Sequence, residues 1–324
     1  MGLAHHGRFA CGAGASVDLS VPSNSNQSAS GKPVRFTFRD EVEVRDGRSA
    51  LGSLDYCCAN LVAARGRRMT QSKQTTTSNS GYGGFSFGSI IEPITGKEWR
   101  PEELTARAAR RVGQLSSLGV TRGARVLIHY GNCGEFFADL LAVWGLGACA
   151  IPVDPRLTEF EIERLAELTK PVLSIWQSGA PANVEARLRA VGTATIDTCV
   201  TDTASCDGLG WYYDDPALIL FTSGTTGDPK GVVHTHRSLH AQWRALTAAL
   251  AGIRFRRTLC LLPTHFGHGL ICNCLFPWLS GNTLCILPPF RPDTVSRLGQ
   301  LLDEHAISFM SSVPTIWRLA LKLS

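Results

Sequence analysis

From residue 85 onward, short apolar runs alternate with longer segments whose apolar residues recur every three or four positions. The short runs predict β-strands and the longer segments predict α-helices. Such alternation indicates an α/β fold, with parallel-rich sheets flanked by helices on both faces. The predicted strands begin with a hairpin that starts at Ile90-Ile91 and turns around 95–97. The others are 125–130, 148–153, 172–176, 193–200, 217–221, 232–235, 258–262, 283–287 and 307–310. The predicted helices cover 101–118, 135–144, a segment from 158, 238–251, 270–279, 293–304 and 315–322.

Two of these helices carry clear start signals. Pro101 is followed by Glu102 and Glu103, which puts proline at the first helical position and acidic side chains in the first turn. Thr158 and Glu161 have the spacing of a capping box, in which each residue satisfies a backbone amide of the other. Both helices are therefore predicted to begin at these residues.

Residues 1–80 differ in composition from the rest. They mix Gly, Ser, Asn and Thr without sustained periodicity, which predicts a disordered or weakly ordered leader. Acidic residues such as Asp40 and Glu41 argue against a transit peptide, and translation from either Met1 or Met69 stays open. The expected organisation is a leader over 1–80 and a domain over 81–324, with subregions of about 81–210 and 211–324.

Composition narrows the class of protein. The chain is 44% hydrophobic and 18% charged, and residues 1–80 hold 10 Lys/Arg against 6 Asp/Glu, hence most of the net charge of +5. The remainder carries a net charge of only +1, so a nucleic-acid partner is not expected. The most apolar stretch, 136–153, contains Asp139 and Pro152, which argues against a membrane span. Eleven cysteines, an odd number, favour reduced thiols and a cytoplasmic location.

The segment after the strand at 217–221 is made almost wholly of hydroxyl residues and glycines. Gly224 and Gly227 let the backbone turn sharply and approach a ligand, and Lys230 closes the segment. Backbone amides, hydroxyls and one ammonium then converge as donors suited to a polyphosphate. The segment is not a Walker loop, because Pro229 precedes the lysine and Gly231 follows it.

The run from Thr222 to Gly231 resembles the phosphate loop of the adenylate-forming superfamily: acyl-CoA synthetases, luciferases and the adenylation domains of peptide synthetases. It meets the pattern Thr-Ser-Gly-Thr-Thr-Gly-x-Pro-Lys-Gly at every fixed position. The alternative is a Gly/Thr-rich surface turn with a solvated lysine. The resemblance implies that Lys230, Thr222 and Thr225 act in catalysis with Mg²⁺ alongside, and that the phosphates of ATP are bound by Thr222, Ser223, Gly224, Thr225, Thr226, Gly227 and Lys230.

A second segment resembles the superfamily's Pro-x-x-aromatic-x-x-Gly pattern. Residues 262–270 read Leu-Pro-Thr-His-Phe-Gly-His-Gly-Leu, so the resemblance implies an acyl pocket at His265, Phe266 and Gly269. Whether His265 or Phe266 faces the pocket is open, and the alternative is an aromatic side chain buried in the core. Residues 145–157 and 309–319 also resemble superfamily segments, and both are interpreted as scaffold.

A zinc site competes for the same stretch, because His265, His268, Cys272 and Cys274 lie within ten residues of one another. On a helix, however, the two thiols of Cys-x-Cys point about 200° apart. This spacing also misses the usual pattern of structural zinc sites. No metal site is therefore predicted from protein ligands.

The resemblance implies the large amino-terminal domain of an enzyme that activates a carboxylic acid with ATP as an acyl-adenylate. The acyl group then passes to a thiol of coenzyme A or of carrier-bound phosphopantetheine. The superfamily's adenine and ribose segments and its small mobile domain are not recognised, so the chain is expected to be an incomplete fragment. Its apolar strands around 284–289 and 307–310 are then expected to be uncovered. The alternatives are a non-catalytic nucleotide-binding remnant and a P-loop NTPase, which the loop disfavours.

Overall fold

A computed structural model describes residues 85–197, 212–222, 229–253, 256–289 and 292–323, together with four short strands nearer the amino terminus. Those four form two antiparallel pairs, β1 (Arg8–Cys11) with β2 (Ala15–Asp18) and β3 (Arg35–Phe36) with β4 (Val42–Glu43). Apart from these strands, the expectation of a disordered or weakly ordered leader over 1–80 lies outside the described residues.

The main body alternates strands and helices, as the apolar pattern predicts. Its strands are β5 (Ile90–Glu92), β6 (Lys97–Trp99), β7 (Arg125–Ile128), β8 (Cys149–Pro152), β9 (Leu173–Trp176), β10 (Ala194–Asp197), β11 (Pro216–Thr222), β12 (Lys230–Thr235), β13 (Arg257–Cys260) and β14 (Thr283–Ile286). Its helices are α1 (Pro101–Ser117), α2 (Gly134–Gly145), α3 (Glu159–Thr169), α4 (Ala182–Ala190), α5 (His236–Ala249), a π-helix (His268–Leu275), α6 (Phe276–Trp278), α7 (Pro292–Ser296), α8 (Leu298–Glu304) and α9 (Pro314–Leu323).

The strands form two sheets. The larger has the order β10-β9-β7-β8-β11-β12, in which every neighbouring pair is parallel except β11 and β12. The smaller has the order β13-β14-β5-β6, with only the β5–β6 hairpin antiparallel. The predicted parallel-rich α/β fold is confirmed. Each sheet takes strands from both sides of residue 210, so the two sequence subregions interleave in space.

Helix α2 lies at the centre of the core. Eleven of its twelve residues are buried, from Gly134 to Gly145 with Glu135 as the exception. It belongs to one apolar cluster that includes Val126 of β7 and Leu284 of β14, hence residues of both sheets. Parallel strands covered on both faces are apolar along their whole length, and β8 and β9 are buried at every position.

The predicted helix starts at α1 and α3 are confirmed. Pro101 is the first residue of α1, and Glu102 and Glu103 occupy its first turn. Thr158 caps α3: its amide donates to Glu161 Oε2 at 2.8 Å, and its hydroxyl accepts from the Glu161 amide at 3.4 Å. The capping box therefore forms as its spacing predicts.

Three predicted elements differ from the structure. The helix predicted over 270–279 is mostly a π-helix, and the helix predicted over 293–304 is two helices that meet at Arg297. The strand predicted over 307–310 is wrong: only Phe309 forms a β-bridge, to Thr258. Backbone bonds from the Phe309 amide to the Arg257 carbonyl at 3.2 Å and from the Leu259 amide to the Phe309 carbonyl at 3.1 Å make this single bridge. The Ser308 hydroxyl adds to it, since it accepts from the Arg256 amide at 2.9 Å.

The expectation of uncovered apolar strands fails at 284–287. Leu284, Cys285, Ile286 and Leu287 are each 0–1% exposed, because β14 lies between β13 and β5 in the smaller sheet. Segment 307–310 is half-buried rather than open. Within the parts of the chain that the structure describes, no helix combines the length and apolar character needed to cross a membrane.

Candidate active site at the carboxyl ends of the larger sheet

The two ends of the candidate phosphate loop meet where β11 ends and β12 begins. Thr222 and Lys230 are the last register pair of this antiparallel ladder, and the Thr222 hydroxyl donates to the Lys230 carbonyl at 3.4 Å. Both residues are exposed. The other predicted phosphate-binding residues, Ser223, Gly224, Thr225, Thr226 and Gly227, lie outside the described residues. The ladder therefore places a threonine and a lysine side by side at the carboxyl end of β11.

The same edge carries a carboxylate from the neighbouring strand. β8 runs parallel beside β11, with Ala150 opposite Leu218, so the carboxyl ends of the two strands lie at the same end of the sheet. Asp154 follows β8 by two residues, next to the end of β11 that carries Thr222. Asp154 accepts from Arg156 Nε at 3.0 Å and from Arg156 Nη2 at 2.7 Å. These bonds hold the pKa of the Asp154 carboxyl below its ordinary value, so the group is ionised at neutral pH.

His265 lies against this carboxylate. Its Nε2 is 3.5 Å from Asp154 Oδ2, which is longer than a good hydrogen bond. Burial lowers the pKa of His265 despite the opposing effect of Asp154, so the imidazole is neutral at pH 7. This contact brings the segment predicted to line the acyl pocket to the edge that carries the loop ends. Phe266 is half-buried as well, so which of the two side chains would face an acid stays open.

Gly269 has a steric reason to be glycine. A Cβ atom at this position would stand 2.3 Å from the Pro263 carbonyl oxygen, well inside van der Waals contact. That carbonyl also accepts the Phe266 amide at 3.1 Å, so it is held in place by the turn. Gly269 therefore allows the π-helix to start directly against the turn that carries His265 and Phe266.

Asn132 is a structural residue at this edge that the sequence analysis does not single out. Its Nδ2 donates to the carbonyls of Leu262 at 3.0 Å and Leu287 at 2.8 Å, and its Oδ1 accepts the Thr264 amide at 3.1 Å. It follows β7 with a φ of 53°, a conformation that asparagine tolerates better than most residues. An asparagine after a glycine at a strand end is the signal that marks it. Asn132 thus joins the ends of β7, β13 and β14.

The position of these residues in the sheet is that of a ligand site in α/β proteins. β8 pairs with one side of β7, whereas the next strand along the chain, β9, pairs with the other side of β7. The direction in which successive strands are added to the sheet therefore reverses between β7 and β8. Ligands of open α/β sheets bind outside the carboxyl ends of the strands at such a reversal. Asn132 and Asp154 follow β7 and β8 there, and His265 reaches the same place from the smaller sheet.

The residues considered for a zinc site are not grouped around a common point in the described structure. His268 Nε2 lies 2.9 Å from the Ser311 hydroxyl, and the Cys274 side chain is fully buried in the core. Among the described residues, no group of three His, Cys, Asp or Glu side chains is placed to hold a metal ion. The stretch is therefore interpreted as packing and hydrogen bonding.

Sequence comparison decides the family. The model of the family described as AMP-binding enzyme matches residues 95–324, which include both loop ends and the turn at His265. The chain belongs to the AMP-binding enzyme family. The resemblance to adenylate-forming enzymes is thereby confirmed, and residues from β6 to α9 lie within the family match.

Several relatives are CoA ligases, and others are hybrid PKS-NRPS synthetases. The chain is 31% identical over 239 residues to malonate–CoA ligase of Arabidopsis thaliana, covering 66% of this chain and 38% of the relative. It is 30% identical over 241 residues to long-chain-fatty-acid–CoA ligase FadD13 of Mycobacterium tuberculosis, covering 70% of this chain and 46% of the relative. The chain therefore spans less than half the length of these relatives.

A solved structure of similar fold is the ATP-bound chimera B3 of RpMatB and BxBclM. It superposes with a TM-score of 0.63 at 25% identity, covering 73% of this chain and 48% of the chimera. The shared fold confirms the large amino-terminal domain predicted from the resemblance.

Proposed function

We propose that this chain takes part in the ATP-dependent activation of a carboxylic acid to an acyl-adenylate, followed by transfer of the acyl group to a thiol. The observation that carries the proposal is the convergence of Thr222, Lys230, Asp154 and His265 at one sheet edge. Family membership and relatives that are CoA ligases support the same reaction. Coenzyme A is the proposed acceptor, with carrier-bound phosphopantetheine as the alternative.

The proposed role of the loop is to bind phosphates. A carboxylate is a poor acyl donor because its oxygen is a bad leaving group, and ATP supplies AMP in its place. The exposed Lys230 ammonium and Thr222 hydroxyl would bind the outer phosphates and stabilise the charge that develops on departing pyrophosphate. We extend this role to Ser223, Gly224, Thr225, Thr226 and Gly227, and assign Thr225 to catalysis with Lys230 and Thr222.

The donor set suits a polyphosphate accompanied by Mg²⁺. Mg²⁺ in phosphoryl-transfer sites is held largely by substrate phosphates and water, with one or two protein carboxylates at most. The described residues offer Asp154 as an ionised carboxylate at this edge, although Arg156 already occupies both of its oxygens. We therefore propose that Mg²⁺ is bound mainly through the nucleotide.

For the acid, we propose a pocket formed by His265, Phe266 and Gly269. A neutral His265 can orient a carboxylate by donating one hydrogen bond without competing as a base, since burial keeps its pKa low. Phe266, half-buried beside it, would supply an apolar wall. Gly269 would act through the backbone, by allowing the turn to close.

We also propose a domain over 81–324 that follows a leader over 1–80, and a cytoplasmic location. The location is supported by the thiols: of the cysteines that the structure describes, none is paired in a disulfide. Burial raises the pKa of Cys133 and of Cys149 to about 12, so these thiols are protonated and unreactive. Such cysteines are typical of a reducing compartment.

Exchange of labelled pyrophosphate into ATP, measured with a mixture of carboxylic acids, tests the activation step. We propose that the 324-residue chain by itself binds ATP weakly and turns over negligibly, so only trace exchange is expected, and this trace depends on added acid. Lys230→Ala should abolish this exchange, whereas Lys322→Ala, which changes an exposed lysine on α9, should not. ATP binding without any acid-dependent exchange would instead favour the non-catalytic nucleotide-binding alternative.

A further inference from the structure

A cluster of polar side chains, three buried and one half-buried, lies where the π-helix meets the segment that precedes α9. It consists of His268, Asn273, Ser311 and Ser312, and is called the polar cluster below. His268 Nε2 lies 2.9 Å from the Ser311 hydroxyl, and Asn273 Nδ2 donates to the Ser311 carbonyl at 2.8 Å. Two elements far apart in sequence are thus joined through polar groups rather than through apolar packing alone.

Two atoms of the polar cluster have no hydrogen-bond partner in the structure. They are Asn273 Oδ1 and Ser312 Oγ, on side chains that are 2% and 9% exposed. Most buried polar atoms in proteins have a hydrogen-bond partner, because an atom left without one loses its hydration and gains nothing in return. These two atoms therefore indicate a place where a hydrogen-bonding group completes the site.

The element that carries Asn273 is itself unusual. A π-helix of eight residues, His268–Leu275, is rare, and π-helical turns occur frequently at functional sites. It begins three residues after His265 and contains Gly269, so it continues directly from the proposed acyl pocket. The polar cluster thus lies on the element that continues from the proposed acyl pocket.

We propose that the polar cluster recognises a neutral hydrogen-bonding group, a hydroxyl or a primary amide, on the hydrocarbon part of the acid substrate. The inference rests on the proposed function and names the substrate class: hydroxy acids or acid amides rather than plain fatty acids. Such a group donates to Asn273 Oδ1 and accepts from or donates to Ser312 Oγ. Either orphan atom gains a partner that a methyl group cannot provide.

Charge argues for a neutral group over a second carboxylate. The hydrogen bonds described for the four side chains of the polar cluster involve no Lys or Arg. Burial lowers the pKa of His268, so this imidazole is neutral at pH 7 and offers no positive charge. An unpaired carboxylate buried here would carry a desolvation cost that a hydroxyl does not.

Matched acyl-sulfamoyl adenosines, stable analogues of an acyl-adenylate, test the inference without requiring turnover. Each pair has the same chain length and ends in either a hydroxyl or a methyl group, and the length is varied across the series. Binding to the full chain is measured by calorimetry. At one length we expect the hydroxyl analogue to bind roughly tenfold more tightly, since one buried hydrogen bond then separates the pair.

Three variants test whether the preference for the hydroxyl analogue depends on the polar cluster. Asn273→Leu and Ser312→Ala should each bring the hydroxyl-to-methyl ratio close to one. Ser174→Ala, in which a fully buried serine that already accepts from Trp176 is changed, should leave the ratio as it is. Circular dichroism verifies the fold, and Ser312→Ala removes only one oxygen atom.

The outcomes separate this inference from the proposed function. If both members of every pair bind equally, or if the preference survives Asn273→Leu and Ser312→Ala, the polar cluster is not a recognition subsite. If no analogue binds and ATP does not bind, the proposed function itself is wrong and the inference fails with it.

Discussion

The buried ion pair between α1 and α2 gives the sharpest prediction about stability. Arg111 Nε donates to Asp139 Oδ1 at 2.6 Å and Nη2 donates to Oδ2 at 3.2 Å, and the two residues are 3% and 2% exposed. The Tyr130 hydroxyl donates to the same carboxylate. Asp139→Leu would therefore leave a guanidinium in the core without its counter-ion.

The size of the effect follows from desolvation. Removing one partner of a buried pair costs about 3–5 kcal/mol, because the remaining charge is uncompensated. Replacing both partners with apolar residues removes that charge, so Arg111→Met combined with Asp139→Leu should cost much less. The lost acceptor of the Tyr130 hydroxyl adds about 1 kcal/mol. We therefore expect the double variant to be at least about 2 kcal/mol more stable than Asp139→Leu alone.

Urea unfolding followed by circular dichroism and tryptophan fluorescence measures these differences in the free energy of unfolding. The unaltered protein, Arg111→Met, Asp139→Leu and the double variant are compared at one pH. The slope of the unfolding free energy against urea concentration is checked in each, because a changed slope would indicate a different unfolding mechanism. A loss below about 1 kcal/mol for Asp139→Leu would refute the reasoning, as would a double variant no more stable than that single variant.

Three further predictions concern the core and the site. Burial lowers the pKa of His129 to about 3 and those of His234 and His236 to about 4, so the unfolded chain binds more protons below pH 6.5. The free energy of unfolding should therefore fall between pH 7 and pH 5 by about 2 kcal/mol for each histidine, and an acid titration that shows no loss would contradict this. Gly269→Ala should destabilise the protein by about 1–3 kcal/mol in urea unfolding, because its Cβ would meet a carbonyl oxygen; unchanged stability would show that the turn can relax. Phe266→Ala should alter the order in which acyl-adenylate analogues of different shape bind, and an unchanged order would make this side chain part of the core.

The features that the sequence predicts correctly depend on residues that are close together along the chain. The strands β7, β8 and β9 are buried on both faces and read as apolar runs, so each was predicted within a few residues of its observed bounds. The capping box at Thr158 needs only neighbouring residues and formed as expected. Thr222 and Lys230 were predicted from a local pattern, and the structure brings them together as the last pair of a hairpin.

The remaining features depend on contacts between distant residues. Asn132 connects carbonyls more than a hundred residues away, and no local pattern shows which backbone groups need it. A π-helix and an α-helix over this segment would contain the same apolar residues. The apolar periodicity therefore could not distinguish the observed π-helix from the predicted α-helix. Residues 307–310 are apolar enough for a strand, but their pairing with β13 extends over a single bridge at Phe309, which the sequence alone does not show.

Calorimetric titration of the chain with ATP and Mg²⁺ tests the central claim most directly, because it asks whether the edge at Thr222 and Lys230 binds phosphates. We expect binding that Lys230→Ala weakens roughly tenfold or more, since a charge-assisted contact with phosphate is lost. Lys322→Ala should bind ATP like the unaltered chain. Absence of ATP binding, or equal affinity in Lys230→Ala with native circular dichroism, would contradict the account.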